Sequence, residues 1–418
     1  MKSKQVQGFK ETKIGSIPYD WELVELGEVS RVIDPRPSHR APVEILNGFP
    51  YVGIRDVTEN GIINVNSCRK VGEDAIKQQE KLFKIDDNPI GFGRNGTVGR
   101  IVKFKKKDFR YAISPHFALI IPTSRINKKF LYFAIRDKQF LQHAFSFITG
   151  TTRPTIGIQD LRKTLIVLPS LDEQIQIGSI LFTIDTQIEN LQNQNKILEQ
   201  ITQTMFTSWF MDFDGITEFE DSELGKIPKG WKINQLDNIA IFLNGLPLQK
   251  FRPNNDSFLP VIKIREMKNG ITNNTEKARI DIEEKYIVNE GDVLFSWSGT
   301  LELMIWTLRK GALNQHIFKV TSENYEKWFY YMWVKFHLDE FRRIAEGKVT
   351  TMGHIQRHHL SEALVLIPSA EILKNMTHVM NPIFEKFIQN KTFIQTLTQT
   401  RDVLIPKLMS GEIKYDSF

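Results

Sequence analysis

Residues 14–29 read IGSIPYDWELVELGEV, and residues 224–239 read LGKIPKGWKINQLDNI. The two stretches lie 210 positions apart, and Gly15/Gly225, Ile17/Ile227, Pro18/Pro228, Trp21/Trp231 and Leu26/Leu236 are identical. The same offset carries Pro50-Tyr51-Val52-Gly53-Ile54-Arg55 onto Pro260-Val261-Ile262-Lys263-Ile264-Arg265. Further along it shrinks. Gly96-Thr97 matches Gly299-Thr300, each four residues after a phenylalanine (Phe92, Phe295). Ala112…His116 matches Ala312…His316, and Thr151-Thr152…Ile156 matches Thr350-Thr351…Ile355. Ile166-Val167-Leu168-Pro169-Ser170 matches Val365-Leu366-Ile367-Pro368-Ser369, and Ile201-Thr202-Gln203-Thr204 matches Leu397-Thr398-Gln399-Thr400. A collinear series whose drift is confined to glycine-rich or polar stretches marks a duplicated chain.

Each copy has two parts. The first mixes short β-like runs, such as Val52-Gly53-Ile54, Ala118-Leu119-Ile120-Ile121 and Asp292-Val293-Leu294-Phe295, with turns rich in Gly, Pro and Asn. Helical patches at 129–144 and 325–344 interrupt the runs, so the class expected is α+β. The second part carries heptads. Ile177, Ile184, Leu191, Leu198 and Met205 recur every seven residues, beside a row of Leu181, Ile188, Asn195 and Thr202. In the second copy the rows are Met376, Ile383, Asn390, Leu397, Leu404 and Met380, Phe387, Ile394, Arg401, Leu408. Sustained a/d heptads argue for a coiled coil, and each stripe finds its natural partner in the other copy. Helices of about 38 residues would be about 57 Å long at ~1.5 Å per residue. Pro382 and Pro406 lie inside the second pattern and should kink it or mark an end. Asn195 and Asn390 sit near the seam midpoints, where a polar core residue sets register, and an antiparallel pair would bring them opposite each other.

The expected organisation is a first mixed domain over 1–170, a helix over 171–208, a linker over 209–223, a second mixed domain over 224–369, a helix over 370–409 and a tail over 410–418. The 418 residues are 41% hydrophobic and 25% charged, which excludes wholesale disorder. The single cysteine, Cys68, excludes an internal disulfide and a Cys-rich zinc site, and fits a reducing, cytoplasmic setting. Met1-Lys2-Ser3-Lys4-Gln5 has no apolar core behind it, so a signal peptide is not expected, and no 18-residue apolar run predicts a membrane span. A net charge of +6 leans toward a polyanionic partner.

Catalytic apparatus is hard to find. The chain lacks G-x-x-x-x-G-K-[ST], Pro-Pro and Pro-Asp, which removes the ordinary P-loop, the amino-methyltransferase motif that holds a flipped base, and the start of a PD-type nuclease motif. Gly91-Phe92-Gly93-Arg94-Asn95-Gly96 is glycine-rich but lacks dinucleotide spacing, and reads as a turn. His354 and His358 have zincin spacing, yet Ile355 stands at the general-base position and copy one has Thr155 and Gln159 there, so no metal is expected. Cys68 has no neighbouring histidine and reads as structural. Basic residues interleaved with aromatics are plentiful: Arg100, Lys103, Lys105, Lys106, Lys107 and Arg110 with Phe104 and Phe109, then Arg31 and Arg36 to Arg40, then Lys250 and Arg252 around Phe251. Such side chains neutralise phosphates or form an ordinary solvated basic face.

These features together resemble the specificity subunits of type I restriction–modification systems. The resemblance covers nearly the whole chain. It rests on the [IL]-G-x-I-P-x-x-W starts, the F-x-x-x-G-T loops, Gly150-Thr151-Thr152-Arg153-Pro154-Thr155-Ile156, and the L-P-S-L-x-E-Q run at 168–174 ahead of the long helix. The second copy departs from it. Gly347-Lys348-Val349-Thr350-Thr351-Met352 lacks the proline and Ile367-Pro368-Ser369-Ala370-Glu371 lacks the E-Q, which puts an equal docking surface on the two halves in doubt.

The resemblance implies two α/β-mixed target-recognition domains separated by two long antiparallel helices, with pseudo-two-fold symmetry. Each domain would read one half of a split double-stranded DNA target, and the helices would set the spacer and help dock two modification (methyltransferase) subunits. The chain itself would hold no catalytic residue and no cofactor. Methylation with S-adenosylmethionine would belong to the modification subunits, and translocation and cleavage to restriction subunits reached through them. Two major-groove windows on one DNA face lie about 34 Å apart, within reach of such helices. Because the loops differ between copies, the target should be asymmetric and bipartite.

The residues expected to touch DNA are Arg36, His39, Arg40, Arg94, Asn95, Thr97, Lys105, Lys106, Arg110 and Arg153 in copy one, and Lys250, Arg252, Trp297, Ser298, Thr300 and Lys348 in copy two. The shared Gly-Thr loops are equally open to a scaffold reading, which shifts recognition to 36–40 and 248–252. The coiled-coil core is expected from Ile177, Leu181, Ile184, Ile188, Leu191, Asn195, Leu198, Met376, Met380, Ile383, Phe387, Asn390, Ile394 and Leu397. Two rivals stand beside this reading: a stand-alone DNA methyltransferase or nuclease, opposed by the missing motifs, and a coiled-coil scaffold with two protein-binding domains.

Overall fold

A computed structural model describes residues 8–38, 40–58, 61, 63–87, 89–150, 152–254, 256–347 and 353–417. The chain divides into two units, one formed by 1–186 with 398–418 and the other by 187–397. Each unit therefore holds one mixed domain and a stretch of both long helices.

In the first unit an antiparallel sheet runs in the order Ser30–Ile33, Phe117–Pro122, Ile90–Gly93, Ile101–Lys103. Its central strand, Phe117–Pro122, is buried along almost its whole length, which is why it reads as an unbroken apolar run rather than an alternation. A second sheet pairs Glu44–Val52 antiparallel with Arg69–Val71 and parallel with Ala112–Ile113. A third pairs Glu22–Glu25 with Leu165–Leu168.

The second unit repeats the plan. Its main sheet runs Ile241–Asn244, Ile317–Thr321, Val293–Ser296, Leu303–Ile305. Leu259–Ile262 again takes a parallel neighbour, Gly311–Leu313, and Lys232–Gln235 pairs with Leu364–Ile367. The repeated I-P-x-x-W motif is scaffold in both. Ile17, Trp21 and Leu26 are buried in the first core, and Ile227, Trp231 and Leu236 in the second.

The first long helix spans Leu171–Thr207, continues as a π-helical turn over Ser208–Asp212, and stops at Phe213, whose φ of 54° is left-handed. Gly178 on this helix lets the short helix Lys128–Ala134 come close, since a Cβ there would meet the Phe130 backbone nitrogen at 2.7 Å. Ser170 and Glu173 cap its start. Gln174 is buried, accepting from the Asn127 N–H at 2.8 Å and donating to the Pro169 carbonyl at 2.9 Å. Gln174 is thus an internal brace, while Glu173 caps the helix start nearer the surface.

The second long helix spans Ala370–Met409 without interruption. Pro382 does not end it, contrary to one of the two outcomes expected. Pro382 lies on the exposed side, whereas Met380, Phe384 and Phe387 bury the opposite stripe, and that packing outweighs the one hydrogen bond proline removes. Pro406 falls within the last turn. The patch at 129–144 also differs from expectation. It splits into Lys128–Ala134 and Lys138–Phe145, because Asp137 caps the second piece through its carboxylate and the Gln139 N–H. Copy two keeps a single helix, Lys327–Glu346.

The helices run antiparallel within each unit. In the first, Ile177 and Leu181 pack in one core with Ile405, Leu408 and Met409. In the second, the Asn195 amide donates to the Phe387 carbonyl at 3.2 Å, and the Asn390 amide donates to Gln194 Oε1 at 3.3 Å. The asparagines do not bond to each other, since both Oδ1 atoms are buried without a partner among the described residues. Along the heptad rows Ile177, Leu181, Ile188, Asn195, Met376, Met380, Phe387 and Asn390 are buried, while Ile184, Leu191, Leu198, Ile383, Ile394 and Leu397 are partly buried.

Candidate nucleic-acid interface

Three segments distant in sequence converge at one place in the first unit. The loop after strand Ile90–Gly93 turns at Gly96, where φ is +77°, a conformation glycine adopts without strain. The Arg94 N–H donates to the His116 carbonyl at 2.8 Å, the Gly96 N–H to the Pro154 carbonyl at 2.9 Å, and the Ile156 N–H to the Arg94 carbonyl at 3.0 Å. The second unit has the same backbone frame. The Trp297 N–H reaches the His316 carbonyl at 3.3 Å, Gly299 reaches Gly353 at 2.7 Å, and Ile355 reaches Trp297 at 3.0 Å. Even the isolated bridge is repeated, Asn95 with Thr155 and Ser298 with His354. The frame is common and the side chains on it are not: Arg94, Asn95 and Thr155 are replaced by Trp297, Ser298 and His354.

In the first unit the frame surrounds His116 with arginines. Ser114 Oγ lies 2.8 Å from His116 Nδ1, and Arg153 Nη2 lies 3.1 Å from His116 Nε2. Burial first, and then the charges of Arg153, Arg94, Arg55 and Arg69, hold the imidazole below its ordinary range. Beside it stands Tyr51, lying 4.6 Å under the Arg69 guanidinium, with Ser114 and Arg36 near enough to act on it. Burial raises the Tyr51 hydroxyl, while Ser114 and the two arginines pull the other way. Such a concentration of cation suits a polyanion.

In the second unit His316 has Ser298 Oγ at 3.0 Å from Nδ1 and Gln315 Nε2 at 3.3 Å from Nε2. Trp297 packs on its ring at 5.6 Å between centroids and donates through Nε1 to Asn244 Oδ1 at 2.9 Å. Elsewhere in this unit Lys263 and Arg252 face Glu276, and Arg265 faces Glu266.

The structure sorts the residues singled out from sequence. Arg94 is 7% exposed and is spent on Asp34 at 2.6 Å and the Pro115 carbonyl at 2.9 Å, so it supports the frame from inside. Ser298 is likewise buried and Trp297 half-buried, whereas Thr97, Arg153 and Thr300 are exposed on the frame's outer side and Asn95 is partly so. Arg36 binds the Arg40 carbonyl through Nε, and Arg40 is exposed. Lys250 is exposed, as is Arg252. The basic run at 100–110 does not act as one patch. Arg100 is bound to the Ile54 and Val57 carbonyls, half-buried Lys103 pairs with Asp185, Arg110 meets Glu73 and Glu80, and Lys106 lies 3.7 Å from Asp86. Lys105 is exposed on the same segment. His39 and Lys348 lie outside the described residues. Sequence reasoning passed over His116, His316, Gln315, Tyr51, Arg55 and Arg69. The matched Ala112…His116 and Ala312…His316 segments carried the usable signal, a polar residue retained in both copies.

His358, His359 and Glu362 bring potential ligand atoms within 4.8 Å of one another. His359 Nδ1, however, accepts the Gln356 N–H at 2.9 Å to cap its short helix. A neutral imidazole that accepts at Nδ1 carries its proton on Nε2, which leaves that nitrogen no lone pair for a metal. The Cys68 thiol is pushed up to about 12 by burial, with Asp56 adding to it, which disfavours the thiolate. Among the described residues, no helix is long and apolar enough to cross a membrane.

The model for the type I restriction modification DNA specificity domain matches residues 18–200 and 228–399. The chain is 27% identical over 432 aligned positions to the type I restriction enzyme MjaIX specificity subunit of Methanocaldococcus jannaschii, covering 98% of this chain and 97% of that one. It is 23% identical to the type I restriction enzyme HindI specificity subunit of Haemophilus influenzae, covering 94% and 100% respectively. Its fold is similar to that of the type I restriction–modification system S subunit from M. genitalium, with a TM-score of 0.55, 16% identity, and 93% and 96% of the two chains covered. With both copies matched by that model, the chain belongs to the family of type I restriction–modification DNA specificity domains.

Proposed function

We propose that this chain is the DNA-reading, non-catalytic subunit of a cytoplasmic type I restriction–modification enzyme. Each unit takes one half of an asymmetric, bipartite double-stranded target. Two methyltransferase subunits dock on the chain, and restriction subunits join through them. The chain needs no cofactor of its own, because S-adenosylmethionine serves the methyltransferases. The observation that carries this reading is the common backbone frame around His116 and His316 with unlike side chains set into it. One fold presented twice with two chemistries is what two unlike half-sites require.

Within the first unit the DNA-facing groups are Arg36, Arg40, Asn95, Thr97 and Arg153, with Arg55 and Arg69 supplying phosphate contacts. Within the second they are Lys250, Arg252 and Thr300 around the His316 centre. Buried Arg94 and Ser298 act by holding the frame.

The test is methylome sequencing of a host that expresses the chain with its modification subunit. An asymmetric motif in two parts, separated by unread bases and absent when the chain is omitted, supports the proposal. Methylation without such a motif, or a motif in one contiguous block, overturns it. Methyl transfer by the purified chain alone would overturn its non-catalytic assignment.

A further inference from the structure

The two histidines that the units share are each held in one proton state by their neighbours. Arginine has only donors. Arg153 Nη2, 3.1 Å from His116 Nε2, must therefore donate to it, and Nε2 must carry a lone pair. The proton of the neutral ring is then on Nδ1 and is donated to Ser114 Oγ at 2.8 Å. Ser114 Oγ also accepts the His116 N–H at 3.2 Å. The chain of hydrogen bonds runs one way, from Arg153 through His116 to Ser114.

The second unit reaches the same ring state by different means. Gln315 Nε2 is a donor, so His316 Nε2 accepts at 3.3 Å and Nδ1–H is donated to Ser298 Oγ at 3.0 Å. The serine comes from the Gly-Thr loop here, and from the histidine's own segment in the first unit. Gln315 occupies the position of Pro115. A neutral, Nδ1-protonated histidine with a long polar side chain resting on Nε2 is thus built twice from different residues. What differs is the head that rests on it.

Arg153 is exposed, and its Nε and Nη1 groups have no partner among the described residues. The head of Gln315 keeps one N–H and its Oε1 acceptor. An arginine fork, all donor, matches guanine O6 and N7; a glutamine, one donor and one acceptor, matches adenine N7 and N6. We propose that His116 and His316 are positioning residues and that Arg153 and Gln315 are the base-reading heads set on them, Arg153 for a guanine in one half-site and Gln315 for an adenine in the other. This rests on the DNA-reading function proposed above.

The experiment uses the full chain assembled with its modification subunits. Competition binding is measured against target duplexes carrying each base at every half-site position, alongside methylome sequencing. Arg153→Ala should cost roughly 10- to 100-fold in preference for guanine at one position of one half-site, leaving the other half-site as in wild type. Gln315→Ala should relax an adenine in the other half-site. Arg153→Lys keeps the charge and removes the fork, so it should lose the same preference; it also serves where the alanine variant does not fold. His116→Ala should relax the same guanine as Arg153→Ala without changing the salt dependence of binding. A uniform loss of affinity across all sequences, with a salt slope smaller by about one, makes Arg153 a phosphate contact and overturns the assignment. So does unchanged specificity, or relaxation at a base other than guanine for Arg153 or adenine for Gln315. If wild type itself yields no bipartite motif, the underlying DNA-reading proposal fails instead.

Discussion

Asp185 on the first long helix and Arg401 on the second meet at 2.8 Å inside the first unit. The carboxylate also takes Lys103 at 2.9 Å and Arg136 at 3.6 Å. Burial by itself would raise this carboxyl, but Lys103, Arg136 and Arg401 outweigh it and hold it below its usual value. Lys103 moves down as well, mainly through burial. The two directions are compatible, because one carboxylate is shared among three cations and Lys103 gets only part of its field. Its ammonium is further held over the Tyr132 ring at 3.8 Å.

Asp185→Ala would leave three cations facing one another, costing about 3–5 kcal/mol, whereas Arg401→Ala leaves Asp185 with two partners and costs about 1–3 kcal/mol. The check is hydrogen exchange of the amides over 401–409, which should open more in the first variant. The pH dependence has a definite sign. A carboxyl lowered on folding contributes fully above its unfolded value of about 3.9 and loses that contribution as pH falls from there to the folded value. Protection over 401–409 should therefore hold down to about pH 4 and fall below it, and Asp185→Ala should abolish that acid-dependent step.

The seam of the second unit holds two amide oxygens without a partner among the described residues, Asn195 Oδ1 and Asn390 Oδ1. An unsatisfied buried polar group costs about 1–3 kcal/mol. Replacing both asparagines by leucine should therefore raise the melting temperature, provided the leucines fit the space. Polar core residues also specify register and partner number, so the same variant should populate misregistered or higher oligomers. Calorimetry and light scattering read the two effects. A double variant less stable than wild type, with an unchanged monodisperse mass, would count against this account.

The scaffold was legible because its signals are local or periodic. Trp21 and Trp231 announce the duplication, and the seven-residue rows announce the long helices, since side chains on one helix face must recur at that interval. The site was less legible because its bonds are not local. Arg94 in a glycine-rich loop looks like a phosphate contact until Asp34, sixty positions earlier, takes its guanidinium. Lys103 and Arg110 look like members of a basic strip until Asp185, Glu73 and Glu80 are brought to them. His116 carried no motif. Its importance comes from four arginines, Arg55, Arg69, Arg94 and Arg153, that arrive from separate segments.

The support that His116 gives to Arg153 should fail in acid. The groups acting on the ring are Arg153, Arg94, Arg55 and Arg69, with Ser114 at Nδ1. A histidine lowered on folding is neutral in both states above about pH 6.5; as pH falls from there to the folded value, stability is lost because only the unfolded chain takes the proton. Once the folded ring is protonated, Nε2–H confronts Arg153 and the hydrogen bond is gone. Discrimination at the base read by Arg153 should be constant from pH 8 to about 6.5 and decline below that range. Competition binding at several pH values tests this. In His116→Ala the discrimination should already be low and should no longer change over the same range.

The length of the paired helices should determine how many bases go unread between the half-sites. The first helix continues without interruption from Leu171 to Thr207, crossing from one unit into the other between Thr186 and Gln187. Inserting four residues between Glu189 and Gln200 adds about 6 Å and turns the following helix by about 40° beyond one full turn, so the apolar stripe resumes near its original face. A matching insertion between Phe387 and Leu397 keeps the antiparallel rows in step. At about 3.4 Å per base pair, the added length corresponds to one or two base pairs. The recognition segments in both units are untouched by these insertions, so the half-site sequences should stay as they were while the spacer grows. Methylome sequencing of the doubly lengthened chain gives both readouts at once. New half-sites with the old spacer would mean that the helices do not act as the ruler.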